Sequence, residues 1–304
     1  MSEHLRIGID LGGSKIAAIA MTGDGRVVAE RRSATPAGDY RAVIAAIVGH
    51  VSGIETEAGV KGTVGIGMPG SVSPATGVVQ NANSTWLNGR NFAGDLERAL
   101  ARPVKLANDA NCFALSEAVD GAGRNARNVF GVILGTGCGG GVVCNRTPLL
   151  GRHHIGGEWG HNPLPWAGPG ESPGPPCWCG RQGCIELWVS GSGVERDHRA
   201  ATGQAVSAVD IERAGHNGDA AAAASLDRHA DRLARALAHV VNILDPDVIV
   251  LGGGLSKMPH LYDVLPGLIA PHVFADHCRI EVRRPVHGDA SGARGAAWLW
   301  PAER

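Results

Sequence analysis

Three things are scarce in this chain: net charge, long apolar runs and low-complexity repeats. The formal net charge is −1, so there is no excess of basic residues to attract nucleic acid or an anionic membrane surface. No apolar run approaches the roughly 20 residues of a bilayer-spanning helix. No signal-peptide pattern opens the sequence. The seven cysteines are an odd number, which argues against a closed disulfide framework. These absences lead us to expect a cytoplasmic protein with reduced thiols and neither a nucleic-acid nor a membrane partner. Gly-x4-Gly-Lys-Ser/Thr is also missing, which removes P-loop nucleotide binding.

Against that background one stretch stands out. Cys177-Trp178-Cys179-Gly180-Arg181-Gln182-Gly183-Cys184 packs three thiols together, and His161 of Gly157-Glu158-Trp159-Gly160-His161 lies 16 positions before the first. Two glycines let the backbone fold back. Cys177 and Cys179 are spaced too closely for an unstrained disulfide, and a tight thiol cluster in a reducing compartment favours metal. His161, Cys177, Cys179 and Cys184 therefore read as a Cys3His structural zinc set with no open coordination position. The plain alternative is a coincidental group of buried thiols. Glu158 and Glu186 flank the set, so a metal here would also fix two acidic side chains. Cys112, Cys138, Cys144 and Cys278 have apolar or glycine-rich neighbours, and ordinary packing accounts for them.

The 304 residues are 44% hydrophobic, enough for two domains or one large one. The 45 glycines cluster at the ends of apolar runs, where the backbone turns or meets a ligand. Alternation predicts a strand over 5–10, resumed over 16–21 after Leu11-Gly12-Gly13-Ser14-Lys15, and then Val27-Val28, an antiparallel meander. Tyr40, Val43, Ile44, Ile47, Val48, Val51 and Ile54 recur at helical spacing behind Asp39 as N-cap. A buried strand over 63–68 and a helix through Phe92, Leu96 and Leu100 follow. A strand over 104–107 then delivers Asn108 and Asp109 to a helix over 110–119. The pattern restarts after Gly121-Ala122-Gly123 with a strand over 129–134, a glycine turn over 135–141 and a returning strand over 142–144. A long helix through 226–244 stops at Pro246, and a strand over 248–251 runs into Gly252-Gly253-Gly254 ahead of another helix. Both halves open with strand, glycine turn and strand, which predicts a duplicated α/β lobe with a cleft between the copies.

Four segments carry candidate chemistry. In Asp10-Leu11-Gly12-Gly13-Ser14-Lys15, backbone N–H groups between two strands suit phosphate oxygens, and Asp10 suits a hydrated magnesium ion. Alone, such a hairpin is more often just a turn. Its counterpart, Gly135-Thr136-Gly137-Cys138-Gly139-Gly140, matches Gly-x-Gly-x-x-Gly, as does Gly65-Ile66-Gly67-Met68-Pro69-Gly70. Neither is followed by the helix that a dinucleotide fold requires. Gly252, Gly253 and Gly254 are balanced between close approach to a ligand and a tight turn. Asp109, at a strand end beside a helix N-terminus, can take a proton from a substrate hydroxyl or simply cap the helix. Asn83 and Asn108 offer donors and acceptors suited to sugar hydroxyls, and Glu158, His161 and Glu186 add more.

Jointly these motifs resemble one family. Asp10-x-Gly-Gly-Ser-Lys, Gly135-Thr136-Gly137-x-Gly139, Glu158-Trp-Gly-His161, Cys177-x-Cys-Gly-x-x-Gly-Cys184-x-Glu186 and Gly288-Asp289-x-Ser-Gly-x-Arg-Gly-Ala-Ala look like the motif set of the ROK family (repressors, open reading frames, kinases). They occur in order along nearly the whole chain. The resemblance implies an α/β, two-lobed actin/hexokinase-like ATPase (ribonuclease H-like) fold with an interdomain cleft. Residues 1–121 plus 289–304 would form a small N-terminal lobe, and 122–288 a large lobe with a zinc-binding insertion near 157–186. Within the family, Asn81-Ala-Asn-Ser-Thr-Trp-Leu-Asn-Gly89, His161-Asn-Pro-Leu-Pro-Trp166 and Gly252-Gly-Gly254 most resemble bacterial fructokinase, also described as manno(fructo)kinase. N-acetylglucosamine kinase and glucokinase are nearby.

The resemblance also implies roles. Asp109 would be the catalytic base, deprotonating a hexose 6-hydroxyl for attack on the γ-phosphate of ATP. Asp10, Gly12, Gly13, Ser14 and Lys15 would form the first phosphate loop, Gly135, Thr136 and Gly137 the second, and Gly252, Gly253 and Gly254 the adenosine-side loop. Asn83, Asn108, Asp109, Glu158, His161 and Glu186 would hold the sugar, and His161, Cys177, Cys179 and Cys184 a structural Zn2+, with Mg2+ accompanying ATP. A homodimer is implied in the same way. The expected substrates are fructose first, mannose second and glucose third, with N-acetylglucosamine kinase, glucokinase or a non-catalytic sugar sensor as alternatives. Ser14 departs from the family's usual threonine but keeps the hydroxyl, and the proline- and glycine-rich stretch 167–176 gives no clean element. Repressors of the family carry a helix-turn-helix ahead of the first loop, for which a first strand starting near Leu5 is expected to leave no room.

Overall fold

The antiparallel meander is present at the start of the fold. The computed structural model describes residues 5–301, so residues 1–4 and 302–304 of the expected small lobe lie outside the described residues. The chain divides into two compact units: Met1–Arg124, Gly141–Gly157 and Val286–Arg304 form one, and Asn125–Gly140 with Glu158–Pro285 the other. In the first unit β1 (Arg6–Leu11), β2 (Lys15–Met21) and β3 (Val27–Ala34) run antiparallel, with Leu11 opposite Ile16. α1 (Tyr40–Ala58) starts where Asp39 accepts from Ala42 N at 3.0 Å and ends at Gly59 in the left-handed region. β4 (Thr63–Met68), the short hairpin β5 (Ser71–Val72) and β6 (Val79–Gln80), α2 (Phe92–Leu100), β7 (Val104–Asn108) and α3 (Asp109–Val119) follow.

β4 and β7 add in parallel to give the sheet order β3-β2-β1-β4-β7. Val43, Ile47, Val51 and Ile54 recur along one face of α1 and share a fully buried core with Ile7, Ile9, Ile16 and Ile66. A helical period thus meets strand alternation across one layer. The parallel order puts the C-terminal ends of β1, β4 and β7 on one edge, where Asp10 and Asn108 emerge.

In the second unit β8 (Asn128–Leu134) leads through a tight turn into β9 (Cys138–Cys144), which crosses into the first unit and pairs antiparallel with β10 (Thr147–Pro148). The turn is therefore shorter than the predicted 135–141: Gly139, Gly140 and Gly141 belong to the strand. A Cβ on Gly141 would lie 2.5 Å from Ala110 O, so close backbone approach, not turning, explains that glycine. α4 (Glu186–Val189), α5 (Gly191–Thr202), α6 (Ala208–His216) and α7 (Ala220–Leu244) follow. α7 buries Leu226, Ala230, Leu233, Leu237 and Val241 at helical spacing and ends at Asp245 ahead of Pro246.

β11 (Val248–Gly252) pairs parallel with β8 and with β12 (Val282–Arg283). The glycines after β11 lead first into a 3-10 turn, Gly254–Lys257, and only then into α8 (His260–Ile269). The chain finally returns to the first unit as α9 (Ser291–Trp298). There the helix lies directly on the sheet, since a Cβ on Gly65 would fall 1.8 Å from Ala296 O. No helix among the described residues is long and apolar enough to cross a membrane.

Candidate active site

In the first unit the candidate residues gather where β1 and β7 end. Asp10 is the penultimate residue of β1, and burial, reinforced by the negative charge of Asp109, raises its pKa to about 6 against the lowering influence of Lys15. A Cβ on Gly292 would lie 2.8 Å from the Asp10 carboxylate, so the first turn of α9 comes up against that side chain and a larger residue there would displace it. Lys15 reaches Asp289 at 3.9 Å across an exposed surface. Gly288-Asp289-x-Ser-Gly is thus packed around Asp10, a role that its sequence did not disclose.

Asp109 opens α3. Its carboxylate accepts from Ala110 N at 2.8 Å, but the N-cap of α3 is Asn108, so the capping role falls to the preceding residue, while burial raises the Asp109 pKa above the ordinary aspartate value. Asn108 accepts from the same N–H at 2.9 Å and donates to Gly70 O at 3.3 Å. Asn83 is exposed, in a loop braced by Asn88, which bonds Ala82 N at 2.9 Å and Ala82 O at 3.0 Å. Gly12, Gly13 and Ser14 form the β1–β2 turn, in which Gly12 N donates to Lys15 O at 3.0 Å. Gly13, Ser14 and Lys15 are exposed.

In the second unit the candidates converge on the β8–β9 turn of Gly135, Thr136 and Gly137. Gly253 has φ 79°, and a Cβ there would lie 2.4 Å from Leu134 O, which brings the 252–254 loop against the start of this turn. Gly254 and the Thr136 side chain face solvent, while Gly252 is buried at the end of β11. Gly191 N donates to Gly135 O at 2.8 Å, and Ser192 Oγ to Thr136 O at 2.8 Å, so the start of α5 clamps the turn. Glu186 Oε2 accepts from Cys138 N at 3.0 Å, and its other oxygen accepts from Trp178 Nε1 at 3.0 Å. Trp159, adjoining Glu158, is buried, stacks edge-on against Phe130 and donates to Gly139 O at 3.0 Å. Burial and the charges of Glu186 and Glu158 push the Cys138 thiol well above its ordinary range, which places both carboxylates around this residue. Gly191, Ser192, Cys138 and Trp178 were not picked out from sequence. The partners of Gly191, Ser192 and Cys138 are distant in the chain, and Trp178 lies inside the knuckle motif, whose cysteines alone carry a recognisable pattern.

The four predicted metal ligands come together. One donor atom from each of His161, Cys177, Cys179 and Cys184 lies within 4.8 Å of the others. Cys177 Sγ is 3.7 Å from His161 Nδ1, and Cys179 Sγ is 3.6 Å from Cys184 Sγ. A tetrahedron with metal–sulfur bonds of about 2.3 Å needs edges of roughly 3.8 Å, so donor types and spacing both fit zinc. Gly180 and Gly183, at φ 86° and 67°, supply the two reversals of the knuckle.

Comparison with known proteins identifies the family. The sequence model of the ROK family matches residues 6–303. The N-acetyl-D-glucosamine kinase of Photobacterium profundum is 40% identical over 296 residues, which cover 96% of this chain and 98% of that protein. Among solved structures, the ROK hexokinase of Thermus thermophilus is 33% identical with a TM-score of 0.85, covering 96% of each chain. A ROK family glucokinase of Streptomyces griseus, in complex with glucose and AMPPNP, is 28% identical with a TM-score of 0.78, covering 97% of this chain and 98% of that one.

Proposed function

Because the chain belongs to the ROK family and has its actin/hexokinase-like fold, we propose that it transfers the γ-phosphoryl group of ATP to the 6-hydroxyl of N-acetyl-D-glucosamine. The observation that carries this reading is Asp109, a carboxylate of raised basicity at the junction of β7 and α3, beside the charge of Asp10. Asp109 takes the proton of the attacking hydroxyl as oxygen bonds to phosphorus, and ADP leaves with the electrons of the broken bond. Such chemistry asks for positioning and charge neutralisation more than for covalent catalysis.

Asp10 is the residue suited to Mg2+, which when bound neutralises charge on the phosphates. The turns at Gly12 to Lys15 and Gly135 to Gly137 offer N–H groups to those phosphates, and Gly252 to Gly254 border the adenosine. Asn83, Asn108, Glu158, His161 and Glu186 are assigned to the sugar. Zn2+ on His161, Cys177, Cys179 and Cys184 is structural, since four protein donors leave no position for water.

The amino sugar replaces the fructose preference of the sequence analysis. Relatives spanning nearly the whole chain at about 40% identity, from Photobacterium profundum and Vibrio cholerae, carry the name N-acetyl-D-glucosamine kinase. That supports the stated alternative above fructose. We retain the homodimer in the proposal, and light scattering at twice the 31.4 kDa chain mass would support it.

The deciding experiment measures ADP release with Mg-ATP and N-acetylglucosamine, glucose, mannose or fructose, with the phosphate position read by NMR. The highest kcat/KM on N-acetylglucosamine, with phosphate on O6, is expected. Preference for fructose would restore the earlier ranking, and saturable binding without turnover would leave a sensor.

A further inference from the structure

Trp178 is the residue whose placement the chemistry so far leaves unexplained. It lies between Cys177 and Cys179, so the knuckle fixes its backbone, yet its side chain is 66% exposed. Its ring meets the His161 ring edge-on, with centroids 4.8 Å apart and planes at 87°. Its single polar atom, Nε1–H, donates to Glu186 Oε1 at 3.0 Å. The other Glu186 oxygen is held by Cys138 N at 3.0 Å. The half-buried Glu186 is therefore gripped at both oxygens, once from the glycine turn and once from the metal knuckle, and Trp178 is the knuckle's half of the grip.

We propose that Trp178 is a positioning residue for the sugar: its N–H aims the Glu186 carboxylate, and its open ring face adjoins the edge of the sugar which that carboxylate reads. The inference rests on the sugar-kinase reading. Each Glu186 oxygen accepts one hydrogen bond and keeps a second lone pair for a hydroxyl. A carboxylate oriented before the ligand arrives avoids the cost of ordering on binding. An aromatic face beside a carboxylate is also the mixed surface that a sugar presents, C–H groups on one side and hydroxyls on the other. Trp178 acts on ground-state binding, because Glu186 meets the sugar and not the transferring phosphoryl group.

The test is Trp178→Phe, which keeps a single aromatic ring and removes the N–H donor together with part of the indole face, with Trp178→Ala beside it. Wild-type turnover on N-acetylglucosamine is measured first, and its absence would overturn the kinase reading itself. With an active wild type, Trp178→Phe is expected to raise the sugar KM and the calorimetric sugar Kd roughly tenfold, as for loss of a hydrogen bond to a charged group. Trp178→Ala should raise both further. kcat and the ATP KM should stay within about twofold, as for loss of uniform ground-state binding, and bound zinc should remain at one per chain. A wild-type sugar KM in Trp178→Phe would overturn the proposal, and so would a fall in kcat without a change in KM. Loss of zinc from Trp178→Phe would likewise overturn it, by making the residue a structural part of the knuckle.

Discussion

The two glycine turns have the same sequence grammar and are held in different ways. The β1–β2 turn is supported from close by: Thr35 Oγ1 donates to Gly12 O at 2.7 Å, and Thr35 N donates to Ser14 O at 3.0 Å, both from the end of the next strand. The β8–β9 turn is supported from far along the chain. Ser192 bonds it from 56 residues away, and the Glu186 bond to Cys138 N spans 48. A local turn survives wherever its meander folds. The second turn has one internal bond, Gly135 N to Gly137 O at 3.0 Å, and takes the rest of its support from the knuckle segment and the start of α5. The duplicated motif thus conceals an asymmetry, and perturbations far from the second turn should reach it while sparing the first.

Metal removal should show this asymmetry most strongly. Structural zinc contributes about 10–16 kcal/mol to folding in small zinc-finger peptides, and between 158 and 186 the buried apolar residues are Trp159, Leu164, Cys177, Cys184 and Ile185, with none between Leu164 and Cys177. Chelation should release one zinc per chain and greatly speed amide exchange over 158–186 and at the β8–β9 turn. β1 and β2 should exchange as before. Uniform exchange throughout would show that the second turn does not depend on the knuckle.

Asp109→Asn is the next largest effect and lies on the locally held side. Removing a general base is expected to lower kcat roughly a thousandfold, while sugar affinity changes little. Asparagine still accepts from Ala110 N, so the melting temperature should hold. A near-normal rate would remove Asp109 as the base.

The same asymmetry separates what was legible in the sequence from what was not. The Asp39-capped helix, the strand that delivers Asp109 and the Cys3His set rest on patterns contained within about 25 residues or fewer, and they stand where expected. The run Gly139 to Gly141 resembles a turn in the sequence because glycine marks both turns and close approaches. The contact that decides between them, Ala110, lies on a separate helix. The stretch 167–176 gave no element for a related reason: its order comes from Glu171, whose partners Arg232 and Arg235 are 61 and 64 residues away. Sugar preference was illegible because one hydroxyl or acetamido group is distinguished by a few contacts, which the motifs of the whole family share.

Glu171 gives a third, intermediate effect. Its side chain is 10% exposed and bonds Arg232 Nε at 2.7 Å, Arg235 Nη2 at 3.0 Å and Gly168 N at 2.8 Å. Burial alone would raise its pKa, but the bonds from Arg232, Gly168 and Arg235 outweigh it and hold the pKa below the ordinary 4.5. Glu171→Ala should cost about 3 kcal/mol in urea unfolding, with faster proteolysis inside 167–176. Because the folded pKa is lowered, the ion pair stabilises the fold fully above the ordinary glutamate range and is lost as pH falls through the lowered value. The gap between wild type and Glu171→Gln should therefore be widest near neutral pH and close in acid.

The finest test compares two alanines within the second turn. A Cβ on Gly137 would fall 2.8 Å from Glu186 Oε2, whereas one on Gly135 meets nothing within 4 Å. The obstructed atom is the end of a movable side chain, so Gly137→Ala displaces the carboxylate and leaves the backbone in place. Its cost is then the charged hydrogen bond to Cys138 N, about 1.5 kcal/mol or somewhat more, together with a raised sugar KM where Glu186 serves the sugar. Gly135→Ala should change unfolding stability by no more than about 0.5 kcal/mol. Equal losses at both positions would mean that the turn is constrained by its own backbone, as the first turn is, and that Glu186 does not hold it.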